Sequence, residues 1–236
     1  MIRNFKIGPI ITALILLIFF WQLIIWIGNY PEALLPSPLT VGEAIVSLTI
    51  NGTIFTHIGI SLYRFSIGYF SAAIIAIALG LFLGKCKFCW SIIDPLVQLL
   101  RPVSPIAWSP FIVLWFGIGN MPAIAIIFIA AFFPIMITTV SAVRKIDPTY
   151  LMVAENLELS TPALLWKVIL PASFPSIVNG LHIALGTAWI FLVSGEMVGA
   201  QSGLGYLIVD ARNSLSLNVV LASIFLIGFI GLLLDK

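Results

Sequence analysis

The chain has 236 residues, 61% apolar and only 8% charged, where a soluble domain carries about a quarter of charged residues. A surface this poor in charge could not stay dispersed in water, so the length is best counted in membrane spans of about 20 apolar residues each. A formal charge of +2 also excludes a broad basic surface for nucleic acid.

Six apolar stretches follow, and they predict an all-α, polytopic membrane bundle of six transmembrane helices. The first runs from Ile7 to Ile27, after Arg3 and Lys6. A signal peptide would have a shorter apolar core and a small-residue cleavage site, so this stretch reads as a retained helix. The segment from Asn29 to Thr56 carries Leu35-Pro36-Ser37-Pro38 and then a short predicted helix over Thr40–Ile50. The second stretch spans about Ile60–Leu83 and ends at Gly84-Lys85. The third, Ser91–Phe116, contains Pro95, Pro102, Pro105 and Pro110. Each proline removes a backbone donor, so this helix must kink or break. Broken helices persist in a bilayer only where protein or water meets the freed groups. Met121–Val143, Ser176–Val198 and Asn218–Leu234 complete the set.

The charges orient the spans. With the N-terminus inside, the inner ends hold Arg3, Lys6, Lys85, Lys87, Arg144, Lys145, Lys167 and Lys236. The outer segments hold Glu32, Glu43, Asp210 and one clear cation, Arg212. Lys and Arg favour cytoplasmic loops, so both termini are expected in the cytoplasm. The inner connection from Lys145 to Pro175 is about half apolar, with Leu157, Leu164, Leu165 and Val168 near helical spacing. Such a segment needs a surface to bury its apolar side, either the spans themselves or a partner.

Polar residues inside the spans are the candidate site residues. Asp94, Gln98 and Arg101 fall at i, i+4 and i+7, on one stripe of a helix. They read either as a polar lining near the inner gate or as an ion pair holding the broken helix, the second being favoured. Ionisable groups in a membrane face protein or water. Glu196, near the outer end of the fifth span, suits an anion poorly as a direct ligand, and Arg64 and Arg212 are its candidate partners. Asp94, Arg101, Trp108 and Glu196 are thus candidates for the translocation path or its gate. His182 reads as a packing residue. Gly80 and Gly84, and Gly180, Ala184 and Ala188, form small-residue ridges that let helices approach closely. Trp21, Trp26, Trp90 and Trp115 sit near span ends, as interfacial anchors do. Cys86 and Cys89 form a C-x-x-C that could serve redox chemistry or half a zinc site. No second Cys or His pair completes a zinc site, so both read as small hydrophobes. No catalytic residue, metal site or cofactor is expected.

The inner connection also carries a resemblance. Ala154-Glu155-Asn156-Leu157-Glu158, followed by Val168-Ile169-Leu170-Pro171, resembles the coupling loop of type I ABC importer permeases, E-A-A-x3-G-x9-I-x-L-P. Met152 and Val153 replace the Glu and first Ala, and Glu158 replaces the Gly. That replacement leaves a left-handed turn there in doubt, since Gly tolerates φ > 0 best. Further segments are similar to the nitrate, sulfonate and taurine permease subfamily. They are Arg101-Pro102-Val103-Ser104-Pro105-Ile106-Ala107-Trp108, Leu114-Trp115-Phe116-Gly117-Ile118-Gly119, Gly195-Glu196-Met197 and Ser202-Gly203-Leu204-Gly205-Tyr206. The family's short basic tail after the last helix is absent from this sequence or not included in it.

The resemblance implies an N-terminal helix and external loop over residues 1–58. A five-helix type I core over 59–236 follows, with a coupling loop over about 145–175. It implies an importer of two permease subunits, expected as a homodimer in the inner membrane, with two cytoplasmic ATPase subunits and an external or periplasmic substrate-binding protein. Ala154, Glu155, Leu157, Glu158, Leu170 and Pro171 would meet the ATPase. The implied cargo is a small anionic solute, sulfonate- or taurine-like. The chain itself has no G-x-x-x-x-G-K-[ST] phosphate loop, so it is not expected to hydrolyse ATP. The alternative is a stand-alone secondary transporter driven by an ion gradient, which would show internal repeats; none is evident.

Overall fold

A computed structural model describes residues 7–32 and 34–235, so Arg3, Lys6 and Lys236 lie outside the described residues. The described chain is helical, with no strand. Its helices are α1 (Ile7–Gly28), α2 (Pro38–Ile50), α3 (Thr53–Lys85), α4 (Lys87–Leu100), α5 (Ser109–Phe116) and α6 (Asn120–Arg144). After these come α7 (Pro148–Asn156), α8 (Thr161–Leu164), α9 (Leu170–Gly199), α10 (Leu204–Asn213) and α11 (Leu217–Leu234).

The core is a three-helix seam of α3, α6 and α9. Gly68, Ala72, Ala76, Gly80 and Gly84 recur every fourth residue of α3 and are all buried, a ridge that lets α6 lie against its backbone. A Cβ on Gly80 would come within 2.6 Å of Thr139, and one on Gly84 within 2.6 Å of Val143. Gly68 faces Ile127 in the same way. Contacts that climb together in number along both helices make α3 and α6 parallel neighbours. α9 runs the other way, since Gly180 meets Thr138, Gly195 meets Ala123 and Gly199 meets Pro122. α11 is antiparallel to α9, with Gly231 against Trp189, the Trp189 indole N–H donating to Ile227 O at 3.2 Å, and Asp235, just past α11, beside His182. One end of the bundle therefore gathers Arg64, Asn120 and Glu196. The other gathers Lys85, Arg144, the 145–175 segment and Asp235.

Four helical runs are long and apolar enough to cross a bilayer: α3, α6, Thr161–Gly199 and α11. The pair formed by α4 and Pro105–Phe116, bent by 86°, counts as a fifth if it is one broken span. The expected six are thus four or five among the described residues. The first predicted span coincides with α1, whose described apolar run is Ile15–Gly28. The proline-rich third stretch breaks as expected. α4 continues through Pro95, then a turn at Arg101–Ser104 and a short 3₁₀ helix, Pro105–Trp108, redirect the chain into α5.

Three differences from the sequence reading have local causes. α9 begins at Leu170, not Ser176, because a π-turn over Leu165–Ile169 leads into it, with the Leu170 N–H reaching back to Leu165 O. α10 fills what reads as a loop; Leu204, Leu207 and Ala211 are buried on one of its faces. Cys86 and Cys89 are joined as a disulfide, not two free hydrophobes. Cys86 caps α4, its sulfur accepting from the Cys89 N–H, and that tight first turn brings their Cα atoms to 5.3 Å, within disulfide range. The short helix after Pro36 is present as α2, with Ser37 as N-cap and Pro38 at the first helical position, where a missing N–H costs nothing. It packs Val41 and Ala44 against Ala222 of α11.

Candidate functional site

The polar stripe on α4 faces a cavity of ≈ 580 Å³ that Asp94, Gln98, Arg101 and Trp90 line. Asp94 does not pair with Arg101. Its carboxylate accepts from Gln98 Nε2 at 2.8 Å, because i, i+4 brings those two side chains together on one helix. Arg101 caps the end of α4 and has no carboxylate within 4.0 Å among the described residues. The favoured ion-pair reading is therefore set aside, and the stripe is an open polar surface. Trp108 lies beyond the break, half-buried, its ring 6.4 Å from that of Phe111.

Glu196 is elsewhere, at the opposite end of the bundle and fully buried. Its partner is Arg64, not Arg212, with Nη1 donating to Oε1 at 2.8 Å. The Ser61 hydroxyl donates to the same carboxylate at 2.8 Å and the Gly205 N–H at 2.9 Å. Arg64 places its other N–H groups on Asn120 Oδ1 and on the carbonyl and hydroxyl of Ser202, at 2.6–2.9 Å. A planar five-donor fork suits such a set of acceptors. Ser61 Oγ in turn accepts from the Leu204 N–H, and His57 Nδ1 from the Gly203 N–H, each at 2.9 Å. α3, the start of α6, α9 and the loop before α10 are thus fastened around one buried charge pair. Gly203, at φ 101°, and Gly205 leave no room for a Cβ against Glu196 and Val193, which explains the Ser202–Tyr206 motif. Arg64, Ser61 and Glu196 are buried at the centre of this cluster, which ties these segments together like a latch.

The sequence names Glu196 and Arg64 because charges inside spans are costly. Ser61, Asn120, Ser202 and His57 are missed. They are common polar types from remote segments; the packing of α6 on α3 brings Asn120 to Arg64, and the loop before α10 brings Ser202 there.

The segment after α6 begins with Asp147, which caps α7 by accepting from the Thr149 N–H at 2.8 Å. That bond holds the exposed Asp147 carboxyl below its usual range. α7 ends in a Schellman turn, in which the Leu159 N–H donates to Ala154 O and the Glu158 N–H to Glu155 O. Such a turn requires a left-handed residue, and Glu158 supplies it at φ 49°. The missing glycine does not abolish the turn; Glu158 adopts it. Ala154 is buried, Glu155 and Glu158 are exposed, and Leu157 projects outward at 66% exposure. Tyr150, Met152 and Val153 are likewise uncovered. Leu157 and Pro171 line one cleft of ≈ 640 Å³ with Tyr150 and Val168, while Leu170 is half-buried at the start of α9. The segment thus packs Ala154 inward and leaves an apolar face without a partner. His182 is exposed, not packed, with its Nε2 3.5 Å from Asp235.

Solved structures of the MetNI methionine ABC transporter in inward-facing conformations share the fold. One matches at a TM-score of 0.59 and 20% identity, over 75% of this chain and 90% of that one. Among curated proteins, the chain is 36% identical over 229 residues to the putative aliphatic sulfonates transport permease protein SsuC of Bacillus subtilis, covering 97% of this chain and 82% of that protein. It is 33% identical to the taurine transport system permease protein TauC of Escherichia coli, over 95% and 84% of the two chains. It is also 33% identical to the nitrate import permease protein NrtB of a Synechocystis strain, at the same coverage. Residues 76–235 match the family described as binding-protein-dependent transport system inner membrane component, and the chain belongs to that family of multi-pass membrane permeases.

Proposed function

We propose that this chain is the transmembrane subunit of an ATP-driven importer for a small anionic solute, with aliphatic sulfonates and taurine favoured. An external binding protein delivers the solute, and separate cytoplasmic ATPase subunits hydrolyse ATP. The permease works as a homodimer in the inner membrane, with both chain ends in the cytoplasm. The single observation that carries the reading is the uncovered apolar face of α7, held in place by the Glu158 turn and set at the end of the bundle that also holds Lys85, Arg144 and Asp235. The cation excess at that end supports a cytoplasmic location, and the names of the similar permeases support the solute class. ATP-driven closure of the ATPases would pull on α7 and so on α9, through Leu170 and Pro171.

The test replaces exposed Met152 and Leu157 with Asp, leaving buried Ala154 in place. ATPase co-purification and ATP-dependent uptake of taurine or an alkanesulfonate by the complex with its binding protein should both be lost, while the permease remains folded. Unchanged association and unchanged uptake would overturn the coupling role.

A further inference from the structure

Three polar stripes interrupt otherwise apolar spans. Asp94, Gln98 and Arg101 lie on α4. Thr138 and Ser141 follow one face of α6 at helical spacing, continued by its C-cap residue Lys145, and Ser176 and Asn179 lie one turn apart on α9. Two cavities hold them. The first, ≈ 580 Å³, contains the α4 stripe, and the second, ≈ 450 Å³, contains the α6 and α9 stripes. Ile137 of α6 lines both, so the two cavities adjoin at that side chain, as two lobes.

The lobes are built by the same small-residue packing as the core. Gly180 brings α9 onto α6, where its Cβ would lie 2.8 Å from Thr138, and this sets Asn179 beside the α6 stripe. Pro175, inside α9, and Pro95, inside α4, each withhold a backbone donor, which leaves carbonyls in need of water. Gln98, Arg101, Ser176 and Asn179 are exposed in the single chain. Groups of this kind do not face lipid, so water or a second protein surface must meet them. The charge balance is positive. Asp94 is engaged by Gln98, whereas neither Arg101 nor Lys145 has a carboxylate within 4.0 Å among the described residues.

We infer that these two lobes form one wall of the water-filled half of the transport path nearest the 145–175 segment, a transient site for a singly charged anion. Arg101 supplies the attraction, and Gln98, Ser141 and Asn179 replace part of the anion's hydration. A cation without a carboxylate partner attracts an anion, and a site open to water lets it leave, the balance conduction requires. Glu196, sealed in its latch, takes no part. This inference rests on the permease reading above.

The test places single cysteines at Gln98, Ser141 and Asn179, in a chain with Cys86→Ser and Cys89→Ser, within the assembled complex in inside-out vesicles. Anionic and cationic methanethiosulfonates of similar size are the probes, and Leu99→Cys, on an apolar exposed position, is the control. All three positions should react well above the control, and the anionic reagent should gain about tenfold over its ratio to the cationic one at a free thiol, the low end of electrostatic focusing. Arg101→Gln should remove that preference and slow uptake while ATP hydrolysis stimulated by loaded binding protein persists; Arg101→Lys should retain most of both. Reactivity no greater than at Leu99, or no charge preference, would overturn the wall. If ATP-driven uptake survives such a result, the permease reading stands; if the parent complex shows no ATP-driven uptake, that reading falls instead.

Discussion

Arg64 uses every N–H of its guanidinium on three neighbours, Asn120, Glu196 and Ser202, so its replacement by Lys is not conservative. Removing one partner of a buried pair leaves the other charge stranded, at a cost of about 3–5 kcal/mol. Arg64→Lys and Glu196→Gln should each lower the thermal midpoint of the purified permease and its yield in the membrane. The double change Arg64→Met with Glu196→Leu should recover part of that loss, since apolar residues of similar volume often replace buried pairs without penalty. A non-glycine residue in the left-handed region costs about 1–2 kcal/mol, so Glu158→Gly should raise the thermal midpoint by relieving that cost. A drop would mean the Glu158 side chain itself makes a stabilising contact. At this scale the sequence is readable where a residue type is out of place, as Glu196 and Arg64 are in apolar spans. It is silent where an ordinary Ser or Asn gains its role from a distant segment, as Ser61 and Asn120 do.

At the scale of helices, the α3 ridge allows a controlled comparison. Gly80→Ala must push its methyl into Thr139 and should cost about 1–3 kcal/mol, as overpacking does. Gly186→Ala and Gly228→Ala meet nothing within 4 Å and should be neutral or slightly stabilising in the same thermal-unfolding measurement. The α7 cap responds to acid. A carboxyl held below its usual value contributes stability that is present above the usual carboxylate range and lost as pH falls through the lowered value. Protection of the Thr149 and Tyr150 amides, measured relative to their intrinsic exchange rates at each pH, should therefore fall on acidification through that window, and Asp147→Asn, which keeps a capping acceptor, should flatten the response. Long apolar periods and proline breaks made α3, α6, α11 and the bent pair legible from sequence. α10 was not, because its ten residues mix Gly, Asp, Arg and Asn with a short apolar face. The π-turn was not either, since no residue type in Leu-Trp-Lys-Val-Ile marks one.

For the whole molecule, a parity argument follows from the parallel packing of α3 and α6. Two neighbours that point the same way cannot be joined by a hairpin; the chain between them must cross back an odd number of times. Only residues 86–119 are available for that return. The bond from the Gly119 N–H to Gly199 O at 2.8 Å fixes their far end beside Glu196, while Arg144 over the Trp90 ring at 5.8 Å fixes their near end beside the 145–175 segment. The 86° pair is therefore a genuine crossing and not a re-entrant loop, which makes five passes from Thr53 to Leu234. Impermeant thiol labelling should reach a cysteine at Lys87 from one face of the membrane only and one at Ile118 from the other only; reaction of both from the same face would undo the count. Sidedness then becomes a single binary choice for the whole core, and one labelled residue assigns Lys85, α7 and Asp235 together.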